Sequence, residues 1–170
     1  MLISKSKYLV IGDKQHGKDT VSELLPLPYK SSSIAACEIF LFDQLQPKYG
    51  YASIQECYED RDNHRQEWFE AIKEYNKNDR ARLARQILED SDVYCGMRCD
   101  LELTACAREQ LFDLIIWVDA SERKEPEPST SMRLTKEDAD IIIDNNGTFE
   151  ELEDKVYRLA RSLGLYQQVA

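Results

Sequence analysis

The 170-residue sequence has no apolar run near the roughly 20 residues that a helix needs to cross a bilayer, so no membrane span is expected. Its opening, MLISKSKYLVIG, passes almost directly into an apolar strand and lacks the apolar core and small-residue cleavage site of a secretory signal. Export is therefore not expected, and a cytoplasmic setting is. No CxxC pair is present. The cysteines Cys37, Cys57, Cys95, Cys99 and Cys106 are odd in number, and neither His16 nor His64 stands at a zinc-ligand spacing from any of them. Reduced thiols are the expectation that follows. Net positive charge is missing too: at −10 the chain has no basis for the extended basic face that binds a nucleic-acid backbone. A small anionic ligand is compatible with that charge, because a few focused Lys and Arg outweigh a diffuse acidic field at short range. No internal repeat is visible. What is there, 42% hydrophobic and 32% charged residues over this length, is the composition of one soluble globular domain, 1–170.

Along the chain, short β-branched runs alternate with helical patterns. Lys7 to Ile11 (KYLVI) is apolar throughout, as in a buried parallel strand, and Lys18 to Leu25 reads as a helix stopped by Pro26 and Pro28. A short strand is expected near Lys30 to Ile34, then an apolar helix, Ala35 to Leu45, closed by Pro47 and Gly50. Gln55 to Glu89 is polar and aromatic-rich, with Trp68, Phe69, Ile72 and Tyr75 and then Leu83, Ile87 and Leu88 at helical spacings. Two helices broken at Asn76 to Asp79 are expected there. Strand DVYC, helix Leu101 to Gln110, strand DLIIWVD and strand ADIII follow, and a last helix opens at Thr148 with Glu151 at the capping-box spacing. The alternation implies a parallel sheet covered on both faces. Residues 120–138, rich in proline, serine and charge, read as an exposed lid-like loop.

The chemistry concentrates at IGDKQHGKDT, residues 11 to 20. Gly12 to Lys18 fits GxxxxGK, and it lies between a strand and a helix, where such a loop aims successive backbone N–H groups at phosphate oxygens. Candidate contacts to a nucleotide's phosphates are Gly12, Lys14, His16, Gly17, Lys18, Asp19 and Thr20. Lys18 would reach the β and γ phosphates. Asp19 stands where a hydroxyl usually holds magnesium; it either binds that cation, marks a decayed site, or is only a favourable charge in a helix's first turn. Thr20 supplies a hydroxyl one place later.

A phosphoryl-transfer site also needs cations around the transferred group. Arg98 follows the C-terminal end of an inner strand, the edge where open α/β sheets bind ligands, and is a candidate for an acceptor phosphate. Arg61, Arg65 and Arg85 in the helical stretch are further candidates, each also open to reading as a solvated surface residue. Arg123 and Arg133 flank the lid-like loop. Glu102, four residues after Arg98, either orients its guanidinium or favours the helix N-terminus. His64 offers a phosphate contact or is a surface residue, Trp68 stacks a base or belongs to the core, and Asn145 faces an adenine or belongs to an ordinary Asn-Asn-Gly turn.

Taken in order, GKDT, YEDRDNHRQEWFEAIKEYN, VYCGMRCDLEL, IIWVD and DADIIIDNNGTFEEL make the chain resemble the deoxynucleoside monophosphate kinases of tailed bacteriophages, nearly end to end. These are a branch of the P-loop nucleoside monophosphate kinase superfamily. The resemblance implies a P-loop NTPase-type three-layer α/β/α sandwich with a mainly parallel sheet, a helical acceptor-binding region at 34–90 and a short lid. It implies transfer of the γ phosphate of ATP to a (deoxy)nucleoside 5′-monophosphate with Mg2+, for phage DNA precursor supply, by a monomer or homodimer. Lys18, Arg98, Arg123 and Arg133 would be its catalytic cations, Asp19 its metal residue, and Asp19 then belongs to a variant motif that reads GKDT. Two places depart from the family: an aspartate two residues before the arginine is here Gly96, and a lysine common after the second strand is missing from SIAACEIF. A kinase for another small metabolite, or a non-catalytic nucleotide- or partner-binding protein on the same fold, are the alternatives.

Overall fold

Side chains alternate across a strand, so a short apolar strand serves both faces of its sheet. The computed structural model describes residues 5–166; residues 1–4, which begin the stretch read for signal features, lie outside the described residues. Five strands, β1 (Tyr8–Ile11), β2 (Tyr29–Ser31), β3 (Val93–Cys95), β4 (Leu114–Asp119) and β5 (Ile141–Asp144), pair in the order β2-β3-β1-β4-β5, all parallel. Leu9 lies opposite Tyr94 and Ile11 opposite Trp117, and these four point into one apolar cluster. Tyr8, Val10, Val93, Ile116 and Val118, one residue out of step, point into a second. The first cluster takes the buried stripes of α2 (Ser32–Ala36), α3 (Phe42–Tyr49), α4 (Ile54–Glu59), α5 (Arg65–Tyr75), α6 (Arg82–Asp90) and α7 (Asp100–Arg108). The second takes α1 (Lys18–Leu24) through Val21 and α8 (Phe149–Ser162) through Leu152, Val156 and Ala160. The result is a three-layer α/β/α sandwich around a parallel sheet, with the loops that follow the strands at the sheet's C-terminal edge.

Three local expectations shift. The second strand ends at Ser31 rather than Ile34, because the Ser31 hydroxyl accepts the Ile34 N–H at 3.2 Å and turns the chain into α2. From Ser32 the helical path continues through a π-helical turn at Cys37–Leu41 into α3, carrying Pro47 in its last turn, and stops at Gly50 with φ 74. Ser53 caps a further helix, α4, so 55–89 holds three helices, with a 3-10 turn at Asp60–His64 between α4 and α5. The expected break after α5 is present, and Thr148 and Glu151 form the expected capping box on α8. The lid region has no regular structure beyond a 3-10 turn at Lys136–Asp138, yet Met132 and Leu134 are buried in the first cluster, which roots its far end. All five cysteines are free and buried. No helix among the described residues is long and apolar enough to cross a membrane.

Candidate active site

The glycine loop between β1 and α1 is held from beneath by the ends of two neighbouring strands. A Cβ at Gly12 would stand 2.7 Å from the Val118 carbonyl oxygen of β4, and one at Gly17, where φ is 98, would stand 2.3 Å from Asn145 Nδ2. That amide of Asn145, just beyond β5, donates to the His16 carbonyl at 2.9 Å. His16 is itself buried: its Nδ1 accepts the Ala120 N–H at 3.0 Å, which places its proton on Nε2, 3.4 Å from the Glu125 carbonyl. Gln15 adopts a left-handed φ of 62. The side chains of His16 and Asn145 thus hold the loop's shape, and no side chain caps the α1 N-terminus. Thr20 is half-exposed in the first turn of α1.

In front of the loop a cavity of about 250 Å³ opens, lined by Lys14, Lys18, Asp19, Arg61, Arg65, Trp68, Arg98 and Glu102 among others. Eight of the residues singled out in the sequence therefore meet at one cleft. Lys18 is buried, and burial together with the nearby Arg98 guanidinium lowers its pKa from the ordinary lysine value, against the pull of Cys95, Asp19 and Glu127. Its side chain runs past Gly96, where φ is 96 and an added Cβ would meet Lys18 Cε at 3.6 Å and Ser32 Oγ at 3.3 Å. The backbone at this place favours glycine. Asp19 is exposed and accepts a 3.6 Å contact from the Cys95 thiol. Arg61 lies over the Tyr58 ring at 4.0 Å and donates to the Tyr58 carbonyl at 2.9 Å.

Glu102 does not orient Arg98. Its Oε1 accepts from Asn76 Nδ2 at 3.0 Å, and Asn76 Oδ1 in turn accepts the Leu83 N–H at 3.1 Å. Burial pushes the Glu102 carboxyl up to about 7, against the Asn76 hydrogen bond and the Arg80 charge. Nearby in the cleft wall, the indole Nε1 of Trp68 is buried with no hydrogen-bond partner. Four further candidates lie elsewhere. Arg85 is paired with Asp79 and, at 2.8 Å, with Glu109 outside the cleft. His64 Nε2 bonds Asp60 at 3.0 Å and its ring packs 4.2 Å from that of Tyr49. Arg123 Nε donates to the Asn145 carbonyl at 2.7 Å, behind the loop. Arg133 has an exposed side chain, and its backbone N–H donates to the Arg98 carbonyl at 2.9 Å.

Arg98 is held instead by a residue that sequence reading missed. Glu127, in the lid segment between Pro126 and Pro128, has a side chain only 4% exposed, its carboxylate bridging Arg98 and Arg65. One of its oxygens also accepts the Lys14 N–H of the glycine loop at 2.9 Å, and its own N–H donates to Asp13 at 3.2 Å. Lys14 Nζ and Arg65 both reach Asp62 at 3.1 Å, which ties the loop, α5 and the lid into one ionic network. Burial works to raise the Glu127 carboxyl, and Arg98 and Arg65 outweigh it, holding the group below the usual carboxylate range. The only local sign of Glu127 in the text was an acid between two prolines, and Glu122 and Glu125 beside it are equally acidic.

No protein-family model matches the chain, and no curated protein sequence matches it. Among solved structures, the protein TT1252 from Thermus thermophilus is similar with a TM-score of 0.48 at 17% identity, covering 94% of this chain and 99% of that one. An unliganded sugar kinase from a Janibacter species is similar with a TM-score of 0.41 at 12% identity, over 91% of this chain and 94% of that one.

Proposed function

We propose that the chain is a kinase that moves the γ-phosphoryl group of ATP to a (deoxy)nucleoside 5′-monophosphate, releasing ADP and the nucleoside diphosphate. One observation carries the reading: the Lys14 amide of a GxxxxGK loop and the buried Lys18 share a single cleft with two guanidiniums, Arg65 and Arg98. An anion on the loop and a second anion on the arginines would meet there. An oxygen of the acceptor phosphate attacks the γ phosphorus, and the bond from that phosphorus to the β–γ bridging oxygen breaks, its electrons leaving on ADP. The attacking oxygen is already anionic at neutral pH, so no general base is needed, and the chain's part is positioning and charge. Lys18 would neutralise charge between the β and γ phosphates, Arg98 and Arg65 would hold the acceptor phosphate, and the wall with Trp68 and Glu102 would take the base.

Magnesium fits as a partner of the nucleotide. Among the described residues no group of three His, Cys, Asp or Glu forms a metal cage, but Mg2+ is commonly held by one carboxylate plus substrate phosphates and waters, and Asp19 offers that carboxylate at the cleft. When bound it would offset the phosphates' negative charge. Asp19→Ala should lower the rate about a hundredfold, by analogy with losing one electrostatic contact to the transition state. An unchanged rate at limiting magnesium would remove Asp19 from that role.

A glycine at 96, where the resembling family carries a carboxylate, is the sequence feature on the side of a non-catalytic protein. The positive φ and the passing Lys18 give Gly96 a reason of its own. Purified protein with ATP, magnesium and each deoxy- and ribonucleoside monophosphate in turn, followed by ADP release beside Lys18→Ala, is the deciding measurement. Turnover with some monophosphate, lost in the variant, is expected; ATP binding without turnover on any acceptor would return the non-catalytic reading.

A further inference from the structure

The carboxylate of Glu127 is surrounded by the groups that would bind a phosphoryl group. Arg98 meets both of its oxygens, Arg65 meets one, and the Lys14 amide of the glycine loop donates to the other at 2.9 Å. Two guanidiniums and a loop amide converging on one anion make a charge-assisted set that suits a phosphate better than a carboxylate, because a phosphate brings more charge and more acceptor oxygens. The amide belongs to the loop that would hold the donor, and the guanidiniums to the acceptor side. Their shared anion therefore sits between the two.

We infer that Glu127 is a built-in occupant of the phosphoryl site, a lid-borne carboxylate that latches the cleft when no substrate is present and must withdraw before phosphates enter. The inference rests on the phosphate-site reading given above. The lid is built for such a movement. On one side it is tied to the end of β4, where Arg123 and Lys124 donate backbone N–H groups to the Ala120 carbonyl; on the other it is rooted by buried Met132 and Leu134. Between these anchors, Glu125 to Thr130 form no helix or strand, and Glu127 is the one residue of that stretch that is not exposed. Once Glu127 leaves, Arg98 and the Lys14 amide need a replacement anion and Arg65 keeps only the half-exposed Asp62, and the substrate supplies the anion. A ligand without a phosphate has no means to displace the latch.

The latch lowers apparent affinity by the fraction of molecules in which it is open. Isothermal titration of ATP with magnesium, and separately of the four deoxynucleoside 5′-monophosphates, into wild type and Glu127→Gln tests this without requiring turnover. The variant should bind at least one of them about tenfold more tightly, as it would if the latch were open about one-tenth of the time. Glu127→Asp, which keeps the charge and shortens its reach, should fall between the two and carries the test if Glu127→Gln gives no cooperative melt. Equal or weaker binding in both variants overturns the latch, as does a fall in turnover at saturating substrate with dissociation constants unchanged. Tighter binding with no turnover on any acceptor would uphold the latch while sinking the kinase reading. Turnover with unaltered binding would do the reverse.

Discussion

At the scale of single residues, two buried residues of the cleft wall, Gly96 and Glu102, have consequences that can be measured. Gly96 is favoured by its backbone: φ is 96, and a Cβ there would stand 3.3 Å from Ser32 Oγ. Restoring the resembling family's carboxylate with Gly96→Asp should cost about 1–3 kcal/mol of stability rather than complete the site, from backbone strain and the crowding of Ser32. A urea midpoint equal to wild type would show that the loop relaxes freely. Glu102 has its carboxyl raised from the ordinary 4.5 to about 7 by burial. Below about pH 4.5 the group is neutral in folded and unfolded chains alike, and its burial carries no charge penalty. As pH rises to about 7 the unfolded chain gives up the proton that the folded chain keeps, so stability falls; above that the full penalty stands. Glu102→Gln removes the titration and should be more stable than wild type at pH 8 by up to roughly 3 kcal/mol, with the difference gone near pH 4.5. Urea denaturation of both proteins at the two pH values checks this, and a pH-independent difference would count against a buried, titrating Glu102.

At the scale of elements, the glycine loop shows which features were legible beforehand. Strands such as YLVI and LIIWVD announce themselves through local apolar runs, and GxxxxGK between strand and helix is a local pattern too, so these parts of the fold and site were readable. Arg98 was readable as a cation at the ligand-binding edge of the sheet, and Arg65 only as one of several arginines in the helical stretch. What holds the loop was not, because its partners are far away in sequence: His16 meets Ala120 across 104 residues, and Asn145 meets His16 across 129. Glu127 reaches Arg65 across 62 residues and is hidden for the same reason. Arg85 illustrates the converse. Its helix buries Leu83, Ala84 and Ile87, and the guanidinium on the outer face is satisfied by Asp79 and Glu109, a pairing that composition alone does not reveal. The anchoring of the loop predicts that His16→Ala destabilises the fold by about 2–3 kcal/mol, since it leaves the buried Ala120 N–H unpaired and opens a void under the loop. A thermal melt within a degree of wild type would mean that His16 is not an anchor.

At the scale of the whole molecule, the helices of 34–90 share one apolar cluster with the sheet. Trp68 on α5, Leu83 and Ile87 on α6, and Leu9, Tyr94 and Trp117 on the strands all belong to it, and the lid adds Met132 and Leu134. The region 34–90 should then not unfold by itself, because separating it would expose half of a continuous core. The tryptophans make this testable, since the sequence has only two, one in the helical region and one in the central sheet. In Trp117→Phe the remaining fluorescence reports α5; in Trp68→Phe it reports β4. Each substitution shifts stability by its own amount, so the comparison that matters lies within one variant: the fluorescence transition in urea should coincide with the far-UV circular dichroism transition in both. Should Trp68 report an earlier transition than the backbone signal in Trp117→Phe, the helices of 34–90 would be an independent unit. The cleft between Lys18 and Arg65 would then be an interface between two bodies rather than a groove cut into one.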